Sequence, residues 1–348
     1  MKKNVLLPIL LMLIIASPLS AKVIRVNNQE TVSKPEENSY ITMIEAYNAA
    51  GHADTIYLEP TAVAHGNLEV GKRIVFIGGG YFHDQNPDLN AQPFSSLVTG
   101  TWTFKLGSLG SKLIGLSFSR PGGSIFLEVN DIEISNCYFS GASSSIGAGR
   151  RINAQNNLEN LTVSGCFFSS TNSSSWNNVF NNVSLINIVF INNISLRPVN
   201  IANNSTGVFS NNLIQSTTFS IGENSNFQVH NNIFLDMTSI TIPNAIGSNL
   251  SHNVANHALF GTANNNQANV PIGDLFIVSE STDGKYQIKE GGPADGQGRD
   301  GVDIGPFGGA KPYKLSGLPD IPVVYQLTTT GVSNSAGKLP ITIKVKAN

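Results

Sequence analysis

A short phrase that recurs through residues 132–253 constrains the fold of this chain more than any other feature of its sequence. Its copies read DIEISNCYFS, LTVSGCFFSS, VSLINIVFIN, GVFSNNLIQS, FQVHNNIFLD and, in a weaker form, LSHNVANH. In each copy a few alternating apolar residues lead to Asn or Gly, one small or polar residue follows, and a second apolar pair closes the phrase. An internal repeat of about 20–30 residues built on short strands indicates a solenoid.

The Asn or Gly in each copy predicts a sharp backbone bend. The alternation before it is typical of a β-strand with one inward face. The chain must then turn within one residue, which requires a positive φ that Gly adopts freely and Asn tolerates. The predicted bend residues lie 20–29 residues apart and are Gly115, Asn136, Gly165, Asn187, Asn211 and Asn231.

The residue after each bend is predicted to stack on its equivalents in neighbouring coils. In successive copies this residue is Cys137, Cys166, Ile188, Asn212, Asn232 and Asn253. Stacked Asn side chains form a hydrogen-bonded amide ladder. The whole pattern predicts an all-β protein, a single-stranded right-handed parallel β-helix whose stacked coils bury one continuous core.

The two cysteines allow two interpretations. Cys137 and Cys166 occupy the same position in neighbouring coils, and an exported protein can form a disulfide there. Alternatively they are stacked, inward-facing thiols that act as small apolar side chains. The parallel direction of directly stacked side chains suits disulfide geometry poorly.

The N-terminus and the charge restrict the location and the partners of the protein. Residues 1–21 have the pattern of a signal peptide, with two lysines, an apolar run too short to span a bilayer, and a cleavage site near Ala21. We therefore expect a secreted or cell-surface protein that does not span the membrane. A net charge of −2 over 348 residues offers no basic surface for nucleic acid. Nothing in the sequence specifies an oligomeric state.

Residues 39–58 are expected to cap the N-terminal end of the solenoid. Ile41 and Ile44 begin a helical spacing of apolar residues, Ser39 is a suitable N-cap, and a strand follows. A short helix there would cover the apolar core that an open solenoid end exposes. The solenoid itself is predicted to extend over residues 22–309.

Residues 310–348 are predicted to form a Pro-containing connector and a β-rich C-terminal tail. The tail has two short β-rich runs around the turn-forming GVSNSAG and is too small for an independent domain. We expect it to dock on the last coil and cover an open strand edge. A sorting or attachment signal is the alternative interpretation.

Two segments resemble a known family. The run ITMIEAYNAAGHADTIYLEPTAVAHGNLEVGKRIVFIGGGYF is similar to the N-terminal cap and first coils of secreted bacterial right-handed β-helix proteins of the pectin-lyase-like superfamily. That family has a Gly-Asp-Thr-Ile strand, of which Asp54-Thr55-Ile56 remains here. Residues 292–294 and 303–307 resemble its closing segment. The resemblance implies the fold but no particular chemistry, because this fold has many functions.

Charged residues are scarce where enzymes of this superfamily carry their chemistry. The lyases use acidic calcium ligands with an Arg or Lys base, and the hydrolases use neighbouring Asp residues. From residue 152 to 270 the charged residues are Glu159, Arg197, Glu223 and Asp236. This set favours a non-catalytic protein. A catalytic group of Asp236, His230 and Arg197 is the alternative, and it requires that the three side chains converge on one face.

The Asp-rich closing segment offers a candidate calcium site. Asp295, Asp300 and Asp303 lie among glycines, and such a segment can bind calcium. It departs from the EF-hand pattern, however, and Asp and Gly are also ordinary turn residues. We therefore expect no cofactor, with calcium at these three residues as the alternative.

These observations favour a secreted, non-catalytic protein that binds a polysaccharide or cell-surface glycan, or serves as an adhesive structural element. A stacked face of Asn, Ser and Thr would offer neutral hydrogen-bonding groups, which suit neutral sugars better than uronates. A polysaccharide lyase or glycoside hydrolase is the alternative function. A purely structural role without any ligand is the third.

Overall fold

The chain folds as a parallel β-helix. The computed structural model describes residues 21–29, 37–86, 93–119, 123–140, 146–148, 157–169, 178–181, 184–243 and 249–346. The predicted signal peptide lies outside the described residues except for Ala21. From residue 75 each coil contributes a short strand to sheet 1, then to sheet 2, then to sheet 3, and strands of successive coils pair in parallel.

The strands of each sheet follow chain order along the solenoid, except that Ser39–Tyr40 forms the N-terminal edge of sheet 1, beyond Val23–Val26. Sheet 1 consists of Val23–Val26, Ser39–Tyr40, Thr55–Leu58, Val75–Ile77, Lys112–Ile114, Glu133–Ser135, Thr162–Ser164, Ile188–Ile191, Thr206–Ser210, Asn226–His230 and Leu250–Ser251. Sheet 2 consists of Leu97–Val98, Ser117–Phe118, Tyr138–Phe139, Phe167–Phe168, Ile194–Ser195, Leu213–Gln215, Ile233–Leu235 and Val254–Ala255. Sheet 3 has a five-stranded and a three-stranded part, formed by Leu68–Val70, Thr101–Phe104, Ser124–Leu127, Ile146–Ala148 and Phe180–Asn181, then by Val199–Ile201, Thr218–Ile221 and Ser239–Thr241. A separate pair is formed by Asn157–Glu159 and Ser184–Ile186.

Helices are short in the described part of the chain. They are the α-helices Met43–Ala49 and Ile272–Leu275 and the 3₁₀-helices Ala263–Asn265, Gly284–Tyr286, Arg299–Gly301 and Leu315–Gly317. Within the described ranges, no helix has the length and apolar composition needed to cross a membrane.

The N-terminal helix begins later than predicted. Its N-cap is Thr42, whose Oγ1 accepts a hydrogen bond from the backbone N–H of Glu45 at 3.2 Å. Ser39, the predicted N-cap, lies instead in a strand that pairs with Val23–Val26. The helix buries Met43 and Ala46, whereas Ile44 is 59% exposed.

The core is continuous from coil to coil and contains stacked phenylalanines. The rings of Phe139 and Phe168, from neighbouring strands of sheet 2, lie 4.7 Å apart and nearly parallel. Phe190 and Phe209 stack in the same way at 5.0 Å in sheet 1. Each coil therefore completes the core of the next, as expected for a solenoid.

Seven residues with positive φ form a row along the corner between sheets 1 and 2. They are Gly115, Asn136, Gly165, Asn192, Asn211, Asn231 and His252, with φ between 52° and 65°. We call them the bend row. Gly165 has an additional reason to be glycine, because a Cβ atom there would lie 2.4 Å from Oδ1 of Asn136.

The placement of Asn187 in this row was wrong. Ser164 pairs with Ile191, so the residue that follows Gly165 in the row is Asn192. Asn187 also has a positive φ, but it precedes its strand and donates from Nδ2 to Oδ1 of Asn160 at 2.8 Å, at another corner. The two asparagines are five residues apart in one phrase, and the repeat pattern fits either of them.

The asparagines that follow the last four residues of the bend row form, together with Asn266, an amide ladder inside the solenoid. Asn193 occupies the position that was predicted for Ile188. In each step, Oδ1 of one Asn accepts from both the backbone N–H and Nδ2 of the Asn before it, at 2.9–3.1 Å. The ladder members are 0–5% exposed and are Asn193, Asn212, Asn232, Asn253 and Asn266.

The two cysteines continue the ladder toward the N-terminus as free thiols. The backbone N–H of Cys166 donates to Oδ1 of Asn193 at 2.9 Å, and that of Cys137 donates to Sγ of Cys166 at 3.4 Å. Both thiols are free and buried, which is the second of the two interpretations given above. Burial is the main reason that the pKa of the Cys166 thiol is raised well above its usual value.

Because His65 is buried, we expect the folded protein to lose stability in mild acid. Its Nε2 has no hydrogen-bond partner among the described residues, and burial lowers its pKa from 6.5 to about 4. The unfolded chain therefore binds the proton first as pH falls, and stability is lost between about pH 6.5 and 4. The expected contribution is at most about 3.5 kcal/mol, at about 1.4 kcal/mol per pKa unit.

Urea unfolding at a series of pH values would test this contribution, with His65→Gln as the variant that does not titrate. We expect its stability to fall less than that of the native chain over this range. Some decline should remain, because burial also lowers the pKa of His230 and His257. Parallel pH profiles for the two chains would contradict the assignment to His65.

Candidate functional site

A long segment turns back along the outside of the solenoid after the last coil. The strands of sheets 1 and 2 end at Ala255, and only the isolated bridges Val254–Gln267 and Phe276–Ile288 follow in the next described residues, so regular coils end well before the predicted residue 309. Residues 268–322, which we call the strap, then pack along the outside of the solenoid. They reach the early coils at Asp283, return to the last coil at Pro293, and from Arg299 run along the bend row toward the first coil. Residues 292–294 and 303–307, which resemble the closing segment of the family, lie in this strap.

The bend row holds the strap through its outward side chains. Oδ1 of Asn231 accepts a hydrogen bond from the backbone N–H of Arg299. The other three asparagines donate from Nδ2 to backbone carbonyls of the strap, all at 2.7–3.2 Å. Asn211 donates to Asp303, Asn192 to Pro306 and Gly308, and Asn136 to Leu318. From residue 299 to residue 318, the order along the strap is thus the reverse of the order along the coils. These asparagines both bend the backbone and bind the strap.

The strap also covers the outer face of sheet 2 with a second apolar core. From sheet 2 this core contains Phe167, Ile194, Leu213, Ile233, Leu235 and Val254, and from the strap Leu275, Phe276, Tyr286, Ala294, Ile304 and Tyr313. Consequently Asn211 and Asn231 are buried beneath the strap, while Asn212 and Asn232 point inward. The predicted stacked Asn face is therefore not available to a ligand.

A buried carboxylate fixes the strap near the first coils. Asp283 is fully buried and accepts four hydrogen bonds, from Ser281 Oγ, Asn86 Nδ2, Tyr313 OH and the backbone N–H of Ser316, at 2.7–3.2 Å. Tyr313 OH also bonds the hydroxyl of Tyr81 at 2.8 Å. Burial raises the pKa of both tyrosines well above the usual value, so both hydroxyls remain protonated.

The proposed catalytic group does not converge. Arg197 is fully buried, and its guanidinium donates to the backbone carbonyls of Ser169 and Phe139 at 2.6 and 2.8 Å. It holds three coils together from the inside. His230 lies on the outer face of sheet 1, in the strand directly before the bend row. Asp236 follows the sheet 2 strand Ile233–Leu235.

His230 and Asp236 have different neighbours. Burial lowers the pKa of His230, and the positive charge of Arg299 lowers it further. Asp236 instead accepts hydrogen bonds from Gln215 Nε2 at 2.8 Å and Asn256 Nδ2 at 3.0 Å. The two side chains thus belong to separate polar groups on either side of the bend row.

The three Asp residues of the candidate calcium site do not form a ligand set. The carboxylate of Asp295 accepts the N–H of Gly291 at 2.7 Å, and that of Asp303 accepts the N–H of Gly296 at 2.9 Å. Asp300 has a positive φ of 65° within a 3₁₀-helix. Among the residues that the structure describes, no three His, Cys, Asp or Glu side chains form a group able to hold a metal ion.

A cleft opens between the outer face of sheet 1 and the strap. Its volume is about 470 Å³. It lies beside Gly165, where the bend row has no side chain to reach the strap. Its walls are formed by Ile77, Lys112, Ile114, Glu133, Ser135, Asn136, Ser164 and Gly165 on the solenoid and by Ala310, Lys311, Pro312, Lys314, Pro319, Asp320 and Ile321 on the strap.

Most charges in the cleft are paired, and two hydroxyls are free. Lys112 forms an ion pair with Glu133 at 2.6 Å, and Lys314 forms one with Asp320. The hydroxyls of Ser135 and Ser164 stand on neighbouring strands and make no hydrogen bond with any described residue. The cleft thus presents neutral donors and acceptors beside the aliphatic Ile77 and Ile114.

The sequence did not identify this cleft. Its two walls come from residues 77–165 and 310–321, which no local pattern connects. The available signal was the connector AKPYKLSGLPDIP, whose prolines and apolar residues are unusual for a free linker. Leu318 and Pro319 of this connector are indeed buried.

Comparison of the chain with known protein families, with curated proteins and with solved structures gives no match.

Proposed function

We propose that the protein is a secreted, non-catalytic β-helix protein of the pectin-lyase-like type that binds a neutral glycan in the cleft between sheet 1 and the strap. The signal-peptide pattern of residues 1–21 supports export, and the cap and closing motifs support the family. The observation that carries the proposal is the pair of free hydroxyls, Ser135 and Ser164, in a cleft whose charges are mostly paired.

A neutral glycan suits this chemistry better than an acidic one. Sugar hydroxyls can donate to and accept from serine hydroxyls, and the C–H faces of sugar rings can pack on Ile77, Ile114 and Ile321. A uronate would need an unpaired cation, and Lys311 alone in the cleft has no ion-pair partner among the described residues. The separation of Asp236, His230 and Arg197 supports binding without cleavage.

Filling the cleft should weaken glycan binding. We expect Ser164→Trp to weaken glycan affinity at least tenfold, because the indole would occupy the space beside Gly165. Thr162→Trp is the matched control, since Thr162 faces outward on the same strand, two residues away and outside the cleft. The chain from Lys22 would be titrated calorimetrically with laminarin, galactomannan and arabinoxylan, and with polygalacturonate and alginate as acidic polysaccharides.

Three results would contradict the proposal. Equal affinities of the two tryptophan variants would place the site elsewhere. Binding of the acidic polysaccharides alone would show that the ligand is an acidic glycan and not a neutral one. Release of new reducing ends or of ultraviolet-absorbing unsaturated uronates would show that the protein is an enzyme.

A further inference from the structure

The C-terminal hairpin leaves the body of the protein. Its strands, Val323–Thr329 and Ile341–Lys346, pair antiparallel with each other and, within the described residues, with no other strand. The predicted docking on the last coil is therefore wrong. The strap has carried the chain back along the solenoid, and the hairpin starts just after Ile321, which lines the cleft with Ile77 and Ile114.

The register of the hairpin separates an apolar face from a polar one. Val324 pairs with Val345, and Leu327 pairs with Ile343. With Ile341, these side chains lie on one face and are 37–60% exposed. The opposite face carries Gln326, Thr328, Thr342, Lys344 and Lys346. An isolated two-stranded hairpin is marginally stable in water, and this one leaves aliphatic side chains uncovered.

The charge of the hairpin indicates what covers its apolar face. Residues 321–348 contain Lys338, Lys344 and Lys346 and no Asp or Glu. Two copies of such a hairpin would repel each other. Five half-exposed aliphatic side chains also bury far less than the roughly 1,200–2,000 Å² of a stable protein interface. A partner that is both apolar and anionic would cover the aliphatic side chains and attract the lysines.

We propose that the hairpin attaches the protein to the surface of an anionic lipid membrane. The apolar face enters the boundary between headgroups and acyl chains, in the manner of an interfacial amphipathic segment. The lysine side chains are long enough to reach lipid phosphates around the edge of a two-stranded hairpin. This attachment is independent of the glycan proposal, because the hairpin and the cleft are different surfaces.

Vesicle flotation would test the attachment. The chain from Lys22, which omits the apolar N-terminal run, would be mixed with vesicles of phosphatidylcholine alone or with about 30 mol% phosphatidylglycerol, because each basic residue near an anionic surface contributes about 1 kcal/mol to binding. We expect binding to the anionic vesicles, weakened by high salt. Leu327→Ser with Ile343→Ser should abolish it. Lys344→Gln with Lys346→Gln should weaken it about tenfold or more.

Matched controls remove similar groups elsewhere. Leu106→Ser changes a leucine that is 86% exposed on another surface, and Lys285→Gln with Lys289→Gln removes two exposed lysines from the strap. Both controls should bind like the native chain, and circular dichroism would verify that all variants fold. No flotation, equal flotation with neutral vesicles, or equal loss in the controls would overturn the proposal. A dimer that Ile343→Ser dissociates would assign the face to a second copy and overturn it as well.

Discussion

Replacing Asn232 with alanine is expected to lower the free energy of unfolding by about 3–5 kcal/mol, because each buried polar group left without a partner costs about 1–3 kcal/mol. Oδ1 of Asn232 is the acceptor for both the backbone N–H and Nδ2 of Asn212. Its Nδ2 donates to the carbonyls of Phe209 and His230 and to Oδ1 of Asn253. Alanine removes all of these bonds where water has no access.

Urea unfolding followed by fluorescence would measure the loss. Asn226→Ala is the control, because Asn226 is exposed on the same coil and its side chain has no hydrogen bond with a described residue. Exposed substitutions of this kind usually change stability by about 0.5 kcal/mol or less. Similar midpoints for the two variants would show that the ladder contributes little to stability.

Asp283→Ala should release the strap from the first coils. The substitution leaves four donors without their acceptor, among them the buried backbone N–H of Ser316. We expect the free energy of opening of this region to fall by about 3–4 kcal/mol, since a hydrogen bond to a carboxylate contributes about 1.5–3 kcal/mol and the losses are not additive. Hydrogen exchange of the amides between residues 281 and 318 would measure it.

Asp274→Ala provides the comparison for this variant. Asp274 is an exposed carboxylate of the same strap, and its removal should leave the exchange rates of residues 281–318 unchanged. Equal protection of those amides in the native chain and in Asp283→Ala would mean that the apolar core under the strap holds it without the carboxylate.

The repeats predicted the β-helix because each coil has the same local requirements. Alternation specifies a strand, and a positive φ specifies the corner, so Asn136 and Asn231 could be recognised as bend residues from single phrases. The same local rule misplaced Asn187, since Asn192 also follows an apolar strand and satisfies it equally. Only the pairing between coils distinguishes the two.

The strap could not be predicted because its contacts are not periodic. Asn136 forms a hydrogen bond with Leu318, and Asn86 forms one with Asp283. In each pair the two residues are far apart in the sequence, and no sequence pattern connects them. Irregular segments follow side-chain contacts rather than a repeat, and these contacts depend on the finished solenoid. The strap forms one wall of the cleft, so the cleft could not be predicted from the sequence either.

The reversed direction of the strap has a consequence for how the chain gains and loses its structure. A solenoid with contacts only between neighbouring coils can fray from either end, one coil at a time. Here Arg299 and Gly305 bond to a late coil and Ser316 to an early one, so opening either end also disturbs the other. We therefore expect cooperative melting as one unit. Because the strap is synthesised after every coil that it joins, the early coils gain their full stability only when the chain is nearly complete.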